Sequence, residues 1–161
     1  MLPAVTLLSE SHLWRNKLKE ESISVGDFVF QLFETHRKNS SPKIDKSELL
    51  RYGHFRGWLE DSDERKPDCP LNRQTAARII HMFMLIELGI ADLQDISPAT
   101  CLRDLYTCRV CTNHIAQVYT RGLMNAVKKE ETDFSDSSAL FFNHLALVSK
   151  TEAFQIIGKD F

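Results

Sequence analysis

Apolar residues recur every three or four positions along most of this chain, the period of helices with one buried face. After Ser24, a residue suited to capping, Val25, Phe28, Val29, Leu32 and Phe33 fall on one stripe. That helix should stop near Asn39-Ser-Ser-Pro42. Asp45-Lys-Ser-Glu48 has the form of a capping box and opens a short helix through Leu49, Leu50 and Tyr52. Gly57 and the polar run Glu60–Asp68 read as loop. Asn72 then caps the clearest helix, over 73–88, with Ala76, Ile79, Ile80, Phe83 and Met84 inward and Gly89 as its stop. Ser97-Pro98 starts another turn.

Further along, 109–121 reads as a helix with Val110, Ile115, Val118 and Tyr119 inward, closed by Gly122. Two more are expected over 136–148 (Leu140, Phe141, His144, Leu145, Val148) and 150–157. The second of these is opened by the capping box Ser149-Lys-Thr-Glu152. Residues 10–20 also carry a helical pattern. No alternating run predicts a strand pair. The expected fold class is all-α, built from stacked helical hairpins.

The hairpins look alike. Glu21-Ser-Ile-Ser-Val-Gly-Asp-Phe-Val aligns with Cys69-Pro-Leu-Asn-Arg-Gln-Thr-Ala-Ala, placing Ile23 on Leu71 and cap on cap. Each unit closes at a glycine followed by an apolar residue, Gly57-Trp58 and Gly122-Leu123. The reading is one domain over 1–161, with a loose repeat at 22–68, a clearer one at 69–125 and a C-terminal helical segment at 126–161.

Pro70-Leu-Asn-Arg-Gln-Thr-Ala-Ala77, then Leu102-Arg-Asp-Leu105, then Ile115 through Gly122-Leu-Met124 is similar to an S-layer homology repeat. That family opens its first helix with Thr-Arg-Ala-Glu, passes a short Asp-Val-like loop and a second helix, and ends in a Gly-Ile turn. The resemblance covers 69–125 and, more loosely, 22–60. Asn72 stands where the motif has Thr, and Val25 where the first repeat would have Arg. The resemblance implies a module that holds bacterial surface proteins to an anionic cell-wall polymer, with Arg73 as the residue that grips it. A guanidinium at a helix N-terminus would add to the backbone donors and the dipole there. Asn72 and Trp58 join it as candidate ligand-binding residues, Trp58 as a packing anchor or a sugar-stacking surface. The third start is expected at Asp133-Phe-Ser-Asp, without a motif Arg. Two repeats leave a place that a second copy would fill, so a homo-oligomer is also an expectation.

Chemistry concentrates at Cys108-Arg-Val-Cys111-Thr-Asn-His114. A Cys-x-x-Cys pair entering a helix suits structural zinc, with His114 as third ligand and His81 or Cys101 as fourth. Plain packing, a redox pair and a local disulfide are the other readings. Four cysteines in 161 residues are too few for a disulfide scaffold.

Composition narrows the function. A net charge of −2 makes no electrostatic case for nucleic acid. Hydrophobic content of 43% suits a globular chain, and no apolar run approaches the roughly 20 residues of a membrane span. Met1-Leu-Pro-Ala-Val-Thr lacks the basic start of a signal peptide, which predicts the cytoplasm, or the cell surface if a leader has been trimmed. No catalytic motif is present. The sequence therefore predicts a non-catalytic binding or scaffolding module. The alternative is a cytosolic helical adaptor for a protein partner, with or without a structural zinc.

Overall fold

The computed structural model describes residues 22–37, 43–128 and 139–161. Its helices are α1 (Val25–His36), α2 (Lys46–Arg56), α3 (Asp61–Arg65), α4 (Arg73–Met82), α5 (Thr112–Thr120) and α6 (Lys150–Ile157). The described part is thus mostly helical. One short ribbon departs from the expectation of no strands: β1 (Val127–Lys128) pairs antiparallel with β2 (Leu140–Phe141). Among the described residues no helix is long and apolar enough to cross a membrane. The helix expected over 10–20 and the segment Asp133–Ser138 lie outside the described residues.

Local chemistry accounts for the helix boundaries. The hydroxyl of Ser24 accepts from Asp27 N–H, and the Asp45 carboxylate from Glu48 N–H at 2.8 Å. Asn72 Oδ1 accepts from Thr75 N–H at 2.9 Å, and Ser149 from Glu152 N–H at 3.0 Å. Each bond satisfies an amide that the first helical turn leaves without an internal partner. Gly57 ends α2 at φ 92°, a left-handed conformation that a side chain would oppose. Helix α4 runs on as a π turn, Phe83–Glu87, so the expected helix over 73–88 has its predicted length but not a uniform pitch.

Ile23, Leu71 and Val148 meet in a closed ring. Leu71 N–H donates to Ile23 O (2.9 Å), Val148 N–H to Leu71 O (2.8 Å) and Ile23 N–H to Val148 O (3.0 Å). All three side chains are buried. Each is followed by the cap of a helix: Ser24, Asn72 or Ser149. The first amides of the helices are placed in parallel fashion. Val25 and Gly26 donate to the carbonyls of Cys69 and Pro67; Arg73 and Gln74 donate to those of Ala146 and His144. In both cases the acceptors lie two and four positions before the next ring member. The close approach demands glycine at 26, where a Cβ would meet Lys46 Cε at 2.8 Å and Pro67 Cβ at 2.9 Å. The three starts thus join head to tail within a single chain.

The ring also explains why the helix expected over 136–148 is absent from 139–148. The Asp104 carboxylate accepts from the N–H groups of Phe142 and Asn143 at 2.7 and 2.8 Å, and Asn143 turns left-handed at φ 64°. The carbonyls of Leu140, His144 and Ala146 accept from Arg103, Gln74 and Arg73. A backbone committed to these partners cannot also close its own helical turns. Leu145 is accordingly exposed, while Val148 sits in the ring. Residues 109–111 form a 3-10 turn ahead of α5, which leaves Val110 facing solvent instead of inward.

Candidate functional site

Arg73, the residue the resemblance assigns to the ligand, is 5% exposed. Its Nε donates to Phe142 O at 2.8 Å, and its terminal nitrogens donate to Asn125 O and the Glu152 carboxylate. The guanidinium stacks over the Phe142 ring, 4.7 Å from the centroid. Burial pulls its pKa below the usual arginine value. Because Arg73 and Gln74 also give their N–H groups to Ala146 and His144, and Thr75 gives its own to Asn72, the start of α4 presents few donors to a bound anion. In this arrangement Arg73 ties the start of α4 to the start of α6. Asn72 is occupied as the helix cap.

Trp58 is 1% exposed and packs edge-on against Phe83 at 5.0 Å between ring centroids. That corrects the sugar-stacking reading. The turn at Gly57 carries the indole under α4, where it acts as the packing anchor.

A groove of about 420 Å³ opens between the starts of α1 and α4. Val25 and Pro70 form apolar wall, Gln74 and Thr75 come from the first turn of α4, and Glu60, Asp63 and Lys66 come from α3 and its edge. Cys108, Val110, Cys111, His114 and Cys69 complete the lining. Arg78 reaches in from α4 and grips the Asp63 carboxylate with both terminal nitrogens, at 2.8 and 2.9 Å. Asp63 is buried, and it accepts from Glu60 N–H as well. The run 60–68, expected as a polar loop, therefore contains a short helix bolted to α4.

The four residues of the zinc reading fall into two pairs. Cys108 and Cys111 are joined by a disulfide, and in that form they offer no thiolate to a metal. His81 and His114 share a hydrogen bond between Nδ1 atoms at 2.7 Å. His81 Nε2 meets Asp92 Oδ1 at 2.7 Å, a contact that holds the Asp92 carboxyl below the usual carboxylate range. Burial, with His81 and Arg78 adding to it, pushes the His114 pKa down to about 4 and keeps that ring neutral. Among the described residues no group of three or more His, Cys, Asp or Glu side chains could hold a metal ion. Cys101 is exposed, its sulfur 3.3 Å from the Tyr119 hydroxyl.

No protein-family model, curated protein or solved structure gives a significant match to the chain.

Sequence reasoning missed several polar residues that tie distant segments together. Arg78 and Asp63 sit in unremarkable helical and acidic contexts. Asp104 belongs to the loop motif quoted above, yet its role as acceptor for Phe142 and Asn143 depends on where a segment 38 residues away comes to lie. Asp92 falls in the stretch 89–100 that lengthens the second unit. Gln117 pins that stretch, donating to Leu93 O and accepting from Leu93 N–H.

Proposed function

We propose that this chain is a non-catalytic recognition module of the S-layer homology kind, with three helix starts and one groove that takes an anionic cell-wall polymer. The observation that carries the reading is the ring of Ile23, Leu71 and Val148, whose members hold equivalent bonds at equivalent distances from their caps. On this reading the third start is Val148-Ser149-Lys-Thr-Glu152 and not the stretch after Asp133. Ser149-Lys-Thr-Glu152 resembles the family's Thr-Arg-Ala-Glu more closely than either earlier start. The carboxylate of that third start is the one that Arg73 of the second start holds.

The ligand contact moves from Arg73 to the groove between α1 and α4. Lys66 stands on its edge as an exposed cation. Gln74 and Thr75 supply hydrogen-bonding side chains suited to the hydroxyls of a sugar polymer, and Val25 and Pro70 supply an apolar wall. Arg73 acts indirectly, by holding the start of α4 in place.

Co-sedimentation with purified bacterial cell walls tests the proposal. The chain should pellet with walls that retain their anionic polymer and stay in solution with stripped walls. Lys66→Glu combined with Gln74→Ala should weaken retention at unchanged helical content. Retention equal to that of an unrelated acidic protein would remove the wall-binding function.

A further inference from the structure

The Cys108–Cys111 disulfide lies in the wall of the groove, and the two sulfurs are not equivalent. Cys111 is buried at 8% exposure and directly precedes α5, while Cys108 is half-buried. Their bridge spans a sequence separation of 3. A loop that short constrains the unfolded chain less than a long-range bridge would, so stapling is a poor account of it. A third sulfur, on the exposed Cys69, lines the same cavity from the loop before α4. His114 lies one helical turn beyond Cys111 on that wall.

We propose that Cys108 and Cys111 form a thiol–disulfide exchange centre acting on a cysteine-bearing peptide segment laid in the groove. A thiolate of the segment attacks Cys108 Sγ. The Cys108–Cys111 bond breaks, a mixed disulfide forms between segment and Cys108, and Cys111 leaves as a thiolate. The positive end of α5 favours that leaving group. A second thiol of the segment then attacks its own sulfur in the mixed disulfide and releases Cys108. Two electrons pass from the segment's dithiol to the protein, and the two protons lost by the segment's thiols end on Cys108 and Cys111. Val25, Pro70 and Val110 give the segment apolar wall to lie on. The exchange depends on the groove's geometry and not on its binding a wall polymer.

The experiment uses the full chain with Cys69→Ser and Cys101→Ser, so that the pair supplies the only cysteines. Oxidised protein should titrate no free thiol, and two after reduction. Cys111→Ser in this background, offered a synthetic cysteine peptide as its activated mixed disulfide, should form a peptide adduct at Cys108 seen by mass. Cys108→Ser should react slower by about tenfold or more, because its remaining sulfur is shielded. Circular dichroism of both variants, and of Cys108→Ala with Cys111→Ala, confirms that the fold persists. Two free thiols in the air-oxidised protein, or equal rates for the two single-cysteine variants, would overturn the proposal. So would a pair that a dithiol peptide leaves oxidised. Wall co-sedimentation reads neither outcome, so this inference and the binding function fail separately.

Discussion

Arg73→Ala separates a structural arginine from a ligand-gripping one. The substitution removes a guanidinium that serves two carbonyls, one carboxylate and one aromatic face at a site 5% exposed. Breaking a buried ion pair costs about 3–5 kcal/mol, because the partner left behind stays desolvated. Here the Glu152 side chain is 28% exposed and water recovers part of that loss, which points to the lower end, about 3 kcal/mol. For a domain of this size each kcal/mol moves Tm by roughly 2–4 °C, so a drop of about 6–12 °C is expected. Thermal and urea denaturation followed by circular dichroism measure it. A cycle with Glu152→Ala should show coupling of about 1–2 kcal/mol, since each single variant strands the other member of the pair. A variant within about 0.5 kcal/mol of wild type would behave as an ordinary surface substitution and refute the reasoning. Loss of wall binding at full stability would return Arg73 to the ligand.

Trp58→Phe should be mild and Trp58→Ala should cost about 3–5 kcal/mol, read as a urea midpoint, because the indole contributes volume and its Nε1 has no hydrogen-bond partner among the described residues. Equal losses for the two would mean that the nitrogen matters. Asp104→Ala strands the amides of Phe142 and Asn143 and should cost about 1–3 kcal/mol, with hydrogen exchange accelerated at 140–146 and unchanged in α2. The His114 value of about 4 lies below its ordinary 6.5, so the unfolded chain binds the extra proton between them. Stability should therefore fall as pH drops from about 6.5 towards about 4, and His114→Gln should flatten that limb while leaving the profile above pH 7 unchanged.

How legible the molecule is from its sequence depends on how local the cause is. The caps at Ser24, Asp45, Asn72 and Ser149 and the stops at Gly57 and Gly89 can be read directly, because a side chain three residues away or a glycine with positive φ decides them. Ile23 and Leu71, aligned in the sequence, are bonded to each other in the ring. Residues 140–148 mislead because their apolar spacing suits a helix, while Asp104 and the start of α4 claim their backbone groups from a distance. The bonds of Arg73 were hidden for a related reason. Arg73 in a motif looks like an arginine for a ligand, and only the arrival of Phe142, Asn125 and Glu152 shows where its donors go. Nothing in the spacing of Arg78 or Asp63 announces a bidentate pair.

Closure of the backbone loop among Ile23, Leu71 and Val148 has a consequence for biogenesis. A nascent chain can form α1 and α4 early, but their common anchor stays open until translation passes Val148. A chain halted before that point lacks the bonds that Ala146 and Val148 supply to the starts of α1 and α4. Of the three ring members, Val148 is thus the one whose arrival couples the other two.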